Sequence, residues 1–225
     1  AVSTSFVIGV LEPWISGPAG GGAALHWRAD SGEATAINFG MRSPRALDVA
    51  DYPLSGEGKA GDLFPWERVV EDRNVEGAKA IAVPGTVDGL GVAHARWGRM
   101  PWAELVAPAI ARAREGLLVD WYAALLIAST ARNLARDPDA AALFLDDGIW
   151  PKGSGWTAIP DNRLDQSRMA DTLEQIARGG PRSLYDGDLA GALAGDVQAK
   201  GGSLSVEDLT GYSSWIGNAQ SVPYR

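Results

Sequence analysis

Residues 81–115 read IAVPGTVDGLGVAHARWGRMPWAELVAPAIARARE and predict a short strand, a turn and two helices in close succession. The apolar start is typical of a strand, and a Pro-Gly pair follows it as a turn. Thr86 is a suitable N-cap for a helix that ends at Gly98. Pro101 favours the first turn of a second helix over 102–114. This part of the chain is therefore predicted to be mainly helical.

Towards the N-terminus, the sequence predicts sheet and one buried helix. Residues 2–11 are apolar and suit a helix that a Glu-Pro pair ends. Two strand-like runs, 24–28 and 33–39, flank an Asp-Ser-Gly turn, which is a strong hairpin signal. We therefore expect an N-terminal β-hairpin.

Towards the C-terminus, helical patterns dominate. A further helix is predicted over 120–136, and a short helix or turn over 139–145. Two more helices are predicted, one from Asp165 or Ser167 to 178 and one over 186–199. Two stretches are irregular, namely 42–77, with one short helix at 66–70, and 146–162. Ser205 begins a capped S-x-x-D turn, and the tail from Tyr212 has strand character.

Together these patterns predict an α+β fold, mostly helical with an N-terminal β-hairpin, in a single domain over residues 1–225. A length of 225 residues suits one sizeable core rather than two. Strands and helices do not alternate regularly, which disfavours a Rossmann-type sheet.

Composition excludes several classes of function. The net charge of −8 disfavours nucleic-acid binding. No window approaches the roughly 18 unbroken apolar residues of a membrane-spanning helix. The chain has no Cys, which rules out disulfides, thiolate metal sites and a cysteine nucleophile. The two histidines, His26 and His94, lack a metal-ligand spacing, so no metal is expected.

The chain opens AVSTSFVIGV and closes NAQSVPYR. The opening has neither a Met nor the basic n-region of a signal peptide. We therefore expect a processed subunit or a chain incomplete at both ends.

Few residues in the chain carry recognisable chemistry. The run from Gly17 to Gly22 is neither a Rossmann nor a P-loop fingerprint, so phosphate binding is disfavoured. It instead predicts a tight backbone path, which is compatible with lining an active site. Arg42 follows a predicted strand and either binds a substrate carboxylate or forms an ordinary surface contact. His94 is expected to form a hydrogen bond at a helix face, and a general-base role stays open for it and for His26.

Four segments together resemble the large-subunit region of the γ-glutamyltransferase family, in the same order along the chain. The first is the Gly-Val-Leu-Glu-Pro run at 9–13 together with the glycine run, and the second is Asn38-Phe39 before Ser43-Pro44. The third comprises the runs 83–90, 97–102 and 108–110. The fourth is a C-terminal group that comprises 184–187, Gly201-Gly202, Leu209 and Tyr212. The third of these segments, over 83–90, 97–102 and 108–110, is the most specific match.

The resemblance implies the four-layer αββα sandwich of N-terminal-nucleophile hydrolases. In that family the precursor cleaves itself, and the new N-terminal Thr of the small subunit attacks the substrate amide with its own amine as base. No catalytic residue is then expected in this chain, and no cofactor. The implied partners are the small subunit and a small-molecule amide, and a dimer of heterodimers is among the assemblies allowed. Localisation stays open, with the cytoplasm favoured over export.

One departure from the family pattern concerns the substrate. The family has an Asp-Phe-Arg-Glu-Thr-Ala-Pro run whose Arg binds the α-carboxylate of the γ-glutamyl group, and an ungapped alignment places Gly40 at this Arg and Arg42 at the Thr. Loss of such a buried clamp costs about 2–5 kcal/mol. The substrate-binding candidates are accordingly Arg42, Gly40, Gly20 and Gly21.

The expected function is therefore hydrolysis of a small amide other than a simple γ-glutamyl compound. Two alternatives remain at this point. One is a true γ-glutamyltransferase or glutathione hydrolase that uses Arg42 as the carboxylate clamp. The other is a degenerate, non-catalytic member of the family.

Overall fold

The computed structural model describes residues 1–59, 65–153 and 162–223, and these contain more helix than strand. The helices are α1 (Val2–Leu11), α2 (Thr86–Trp97), α3 (Trp102–Glu115), α4 (Trp121–Leu134), α5 (Pro138–Phe144), α6 (Ser167–Gly179), α7 (Asp188–Ala199) and α8 (Val206–Thr210). The strands are β1 (Gly22–Arg28), β2 (Glu33–Phe39), β3 (Leu54–Lys59), β4 (Glu67–Val69), β5 (Leu117–Leu118), β6 (Leu145–Asp146), β7 (Trp150–Pro151), β8 (Arg163–Leu164) and β9 (Trp215–Asn218). Parts of the two stretches predicted as irregular, and the last two residues of the tail, lie outside the described residues.

The main sheet of the described chain contains β1, β2 and β9 in that order, with antiparallel pairing throughout. The predicted N-terminal hairpin and the predicted strand in the tail are therefore both confirmed. Because side chains alternate along a strand, the sheet has two distinct faces. One face carries the buried Ile37 and packs on α2, where the Phe39 ring lies against Gly89. The other face carries Leu25, Trp27 and Trp215 and is exposed in this chain.

The larger core lies among the helices. It joins α1, α2, α3, α6, α7 and α8 through buried side chains that include Phe6, Val10, Val87, Val106, Leu173, Ile176, Leu204 and Leu209. Apolar residues three or four apart on each helix form the stripe that this packing needs. The Phe6 and Trp102 rings meet edge to face at 5.5 Å, which fixes α1 against α3.

A second, smaller core lies under α4 and α5. It contains Leu117, Val119, Ala123, Ile127, Leu145 and Leu164. The two helices begin at Asp120 and Asp137, whose carboxylates accept hydrogen bonds from the amides of Ala123 and Ala140.

Three sequence predictions were wrong in detail. Residues 66–70 are not a helix, because β4 pairs with β3 and a short 3-10 turn follows it. The stretch predicted as loop from 146 onward takes part in a small hairpin between β6 and β7. The run 81–83 forms one bridge, between Val83 and Arg42, rather than a strand. Such short strands depend on their pairing partners, which local sequence does not reveal.

Helix capping was predicted correctly in one case and incorrectly in two. Ser205 and Asp208 form the expected capping box at α8. Thr86, however, is the first residue of α2, and Gly85 is its N-cap without a side-chain bond. The N-cap of α6 is Gln166, although Asp165 accepts a hydrogen bond from the Ser167 amide.

Candidate functional site

The N-terminus of α2 is the point at which the predicted site residues converge. The Gly20 carbonyl accepts hydrogen bonds from the amides of Gly85, at 2.8 Å, and Thr86, at 3.0 Å. This carbonyl satisfies amides that begin the helix and otherwise lack partners, which explains why Thr86 is not needed as a cap. The bridge between Arg42 and Val83 brings the end of β2 to the same place.

Close backbone contacts account for two of the glycines. A Cβ atom on Gly21 would lie 2.8 Å from both the Phe39 carbonyl oxygen and the Met41 amide nitrogen. A Cβ atom on Gly85 would overlap the Phe39 carbonyl and the Tyr212 hydroxyl. The tight backbone path predicted for the glycine run is therefore present, and it abuts the chain that carries Gly40 and Arg42.

The Arg42 guanidinium lies over an aromatic ring. Its Cζ atom is 4.7 Å from the centre of the Tyr212 ring, and its Nη2 donates to the Ser213 carbonyl at 2.6 Å. Within the part of the chain that the structure describes, no carboxylate lies within ion-pair distance of this guanidinium. Arg42 is thus an exposed, oriented cation whose charge is not neutralised by a neighbouring acid there.

Gly40 is held by its backbone and has space beside it. Its carbonyl accepts a hydrogen bond from the Tyr212 hydroxyl at 2.9 Å, and its amide donates to the Asn38 side chain at 2.9 Å. Among the described residues, a Cβ atom here would meet only Asn38 Oδ1, at 3.1 Å, and Asn38 is exposed. Packing therefore leaves room for a side chain at this position.

An ionic network around the buried Asp88 lies behind these residues, and the sequence did not predict it. The Asp88 carboxylate accepts hydrogen bonds from Arg182, and from both the amide and the hydroxyl of Ser214. The one sequence signal for Asp88 was that an acidic residue lies between apolar residues in the first turn of a helix that packs on the core. Its partners lie 94 and 126 positions away, so no local spacing reveals them.

Two buried tyrosines complete the network. The Tyr185 and Tyr212 rings stack with centroids 5.7 Å apart, and the Tyr185 hydroxyl accepts from the Asp88 amide. Burial raises the pKa of the Tyr185 phenol far above its ordinary value and raises the pKa of Tyr212 as well. Both phenols therefore stay protonated at neutral pH, and Tyr212 can donate to Gly40.

The structure thus brings together all four predicted binding residues, Gly20, Gly21, Gly40 and Arg42. The two histidines lie elsewhere. His94 contacts the Met100 carbonyl at 2.8 Å, which confirms the hydrogen bond predicted at a helix face. His26 stacks on Trp97 with ring centroids 4.0 Å apart. In residues 1–59, 65–153 and 162–223, no group of three His, Asp or Glu side chains is placed to hold a metal.

A family model described as Gamma-glutamyltranspeptidase matches residues 1–225. The chain belongs to the γ-glutamyltranspeptidase family. Its curated relatives include the Acylase ACY 1 proenzyme of Pseudomonas sp. (strain V22), 39% identical over 213 residues, which are 94% of this chain and 36% of that protein. The Glutathione hydrolase proenzyme of Pseudomonas aeruginosa is 32% identical over 212 residues, which are 94% of this chain and 34% of that protein. The chain therefore spans about a third of the length of these relatives.

A solved structure of the family has the same fold. The γ-glutamyltranspeptidase from Pseudomonas nitroreducens complexed with L-DON superimposes with a TM-score of 0.77 at 28% identity, covering 96% of this chain and 58% of that one. Structures of this family are N-terminal-nucleophile hydrolase sandwiches, so the predicted fold class is confirmed. Among the described residues, no helix is long and apolar enough to cross a membrane.

Proposed function

We propose that this chain is the large-subunit part of an autoprocessed amide hydrolase whose substrate is a small amide other than a simple γ-glutamyl compound. The nucleophile is the N-terminal Thr of the small subunit, so the catalytic residues lie outside residues 1–225. Residues 1–225 contribute one domain, which orients the acyl group through Arg42, Gly40 and the glycines Gly20 and Gly21.

The observation that carries this proposal is that the positive charge is at Arg42 and not at the family's clamp position. The family's clamp position is Gly40, which carries no charge, and two residues later the Arg42 guanidinium is oriented over the Tyr212 ring. Two residues of extended chain span about 6–7 Å. A carboxylate bound by Arg42 therefore sits at a different distance from the scissile amide than the α-carboxylate of a γ-glutamyl group. The 39% identity to a protein named as an acylase supports the same conclusion.

The exposed sheet face supports the proposed small-subunit partner. Leu25 is 76%, Trp27 62% and Trp215 54% exposed, and all three lie on one side of the sheet. Monomeric proteins rarely leave such an apolar surface uncovered. A second sheet supplied by the rest of the protein would bury it, as in the αββα sandwich.

A true γ-glutamyltransferase or glutathione hydrolase is the second candidate. It is favoured by the lack of a carboxylate partner for Arg42 in the described chain, which leaves this cation available as an alternative clamp. The 32% identity to a glutathione hydrolase proenzyme also supports it.

The test uses the full-length, processed protein and its Arg42→Ala variant. The substrates are succinyl- and adipyl-p-nitroanilide, whose carboxylates lie one methylene nearer to or farther from the amide than in γ-glutamyl-p-nitroanilide. Arg42→Ala should raise KM for the best of the two by about tenfold or more, because it removes a charge-assisted contact. Arg45→Ala is the matched control, since that arginine is also exposed and lies three residues away.

Two results would count against the proposal. Robust turnover of γ-glutamyl-p-nitroanilide that collapses in Arg42→Ala would favour the second candidate. Failure of the purified protein to expose an N-terminal Thr, read by intact-mass and N-terminal sequencing, would indicate a non-catalytic member.

A further inference from the structure

We propose that Asp88 is a positioning residue that holds Arg42 in place through Arg182 and the segment 210–214. This inference rests on the proposed role of Arg42 in binding a substrate carboxylate. Asp88 is only 7% exposed and lies behind that segment, so it acts through other residues rather than by touching substrate.

The first step is the contact between Asp88 and Ser214. One carboxylate oxygen accepts from the Ser214 amide and from the Ser214 hydroxyl, both at 2.7 Å. Hydrogen bonds to an ionised acceptor are short and strong. They fix one end of the segment to the first turn of α2.

The second step is the contact between Asp88 and Arg182. The other carboxylate oxygen accepts from Arg182 Nη1 at 3.0 Å. The same guanidinium donates to the carbonyls of Tyr212, at 2.8 Å, and Thr210, at 3.2 Å. Asp88 thereby orients an arginine that fixes the other end of the segment.

The third step leads from the segment to the site. Ser213 supplies the carbonyl that accepts from Arg42, and Tyr212 supplies the ring on which Arg42 lies. The Tyr212 hydroxyl also holds the Gly40 carbonyl. The two contacts described for the Arg42 guanidinium are therefore both with residues that Asp88 and Arg182 immobilise.

The charge of Asp88 is what this arrangement needs. Arg182 also pairs with the half-exposed Asp186, through Nε at 2.9 Å and Nη2 at 3.0 Å. Without a carboxylate at position 88, Asp186 would be the acid left in contact with Arg182 in the described chain. The guanidinium would then be drawn away from the carbonyls at 210 and 212, and Ser214 would lose an ionised acceptor.

The experiment measures KM and kcat of the full-length, processed protein with two substrates. One is the best carboxylate-bearing p-nitroanilide, and the other is its uncharged analogue with a methyl group in place of the carboxyl. Asp88→Asn is expected to raise KM for the charged substrate about tenfold, with kcat changed less than about twofold, and to leave KM for the uncharged analogue unchanged. In an Arg42→Ala background, the same change should have no further effect on KM.

Asp171→Asn is the control, because it removes the acid of a different arginine pair, at the contact of α3 with α6. Ser214→Ala is the milder second variant, which removes one donor to Asp88 and should shift KM in the same direction by a smaller factor. A general loss of folding would lower the apparent kcat for both substrates and leave KM unchanged. An equal change in KM for the two substrates, or a change in KM that adds to that of Arg42→Ala, would overturn the proposal.

Failure of the proposed function is distinguishable from failure of this inference. If Arg42→Ala itself leaves KM for every charged anilide unchanged, the role of Arg42 in binding is wrong. A crystal structure of Asp88→Asn then decides the positioning role on its own. Arg42 should leave the Tyr212 ring and the Ser213 carbonyl in that structure, and an unchanged Arg42 would refute the inference.

Discussion

Gly40 is a glycine at a position where a Cβ atom would meet a side chain rather than backbone. Its neighbour Asn38 is exposed, and among the described residues no backbone atom lies within 4 Å of a Cβ atom placed at position 40. Gly21 and Gly85 differ in this respect, because each is in direct contact with the backbone of Phe39. Packing therefore requires glycine at positions 21 and 85 but not at position 40, where we propose that the missing side chain affects the choice of substrate.

Restoring the charge at position 40 is expected to restore activity on γ-glutamyl compounds. Gly40→Arg should raise kcat/KM for γ-glutamyl-p-nitroanilide by about tenfold or more, since a clamp of this kind contributes about 2–5 kcal/mol. Steady-state kinetics on the processed protein measure the change. Gly191→Arg is the control, because Gly191 also has open space around it but lies on α7. An equal effect of the two variants would contradict the assignment.

Local sequence suggested some candidate site residues and could not suggest others. Gly20, Gly21, Gly40 and Arg42 were found from a glycine run and from a departure at one position of a family pattern. Arg182 was not found, because its contacts with Asp88 and with 210–214 join parts of the chain that only the folded core brings together. An ion pair formed across a core has no spacing rule in the sequence.

The start of α2 is the element on which the site depends. Three chain segments meet there, and Gly85 lies at their centre with no room for a methyl group. Gly85→Ala is expected to lower the free energy of unfolding by about 1–3 kcal/mol, as overpacking does elsewhere. Urea denaturation of the processed protein measures this difference.

The matched variant for that measurement is Gly195→Ala. Gly195 lies inside α7 and has open space around it, so an alanine there should stabilise the helix by about 1 kcal/mol. A Gly85→Ala variant as stable as this control would show that the close approach to Phe39 and Tyr212 does not constrain the site.

At the scale of elements, helices were easier to predict than strands. The helices α2, α3 and α7 follow from apolar periodicity and from the residues that end them. The strands β3 and β4 were missed, and β4 was taken for a short helix, because a strand of three residues is defined by its partner rather than by its own pattern. The capped α8 was predicted because its capping box is local.

The described residues leave one face of the main sheet uncovered, and this gives a prediction about assembly. Leu25→Lys should weaken association of the large and small subunits by about 1.5–3 kcal/mol, the value of burying one leucine. Size-exclusion chromatography of the processed protein at decreasing concentration measures the loss. Val49→Lys is the control, since Val49 is equally exposed, at 77%, but lies outside the sheet. Identical dissociation of both variants would contradict a buried sheet face.

The αββα architecture came from the resemblance rather than from the physics of this chain. Hydrophobic patterning alone predicted an α+β domain with one hairpin, and β9 completes a sheet of three strands in the described residues. We propose that the second sheet of the sandwich comes from chain beyond residues 1–225. The matched residues are only 36% and 34% of two relatives.

The most direct test of the central claim is the specificity of the unmodified, processed protein. We would measure kcat/KM for γ-glutamyl-, succinyl- and adipyl-p-nitroanilide under one set of conditions. Because the charged clamp is at Arg42 rather than at position 40, we predict a kcat/KM for succinyl- or adipyl-p-nitroanilide about tenfold or more above that for the γ-glutamyl compound. This is a difference of about 1.4 kcal/mol in transition-state binding. A protein that prefers γ-glutamyl-p-nitroanilide over both would contradict the account.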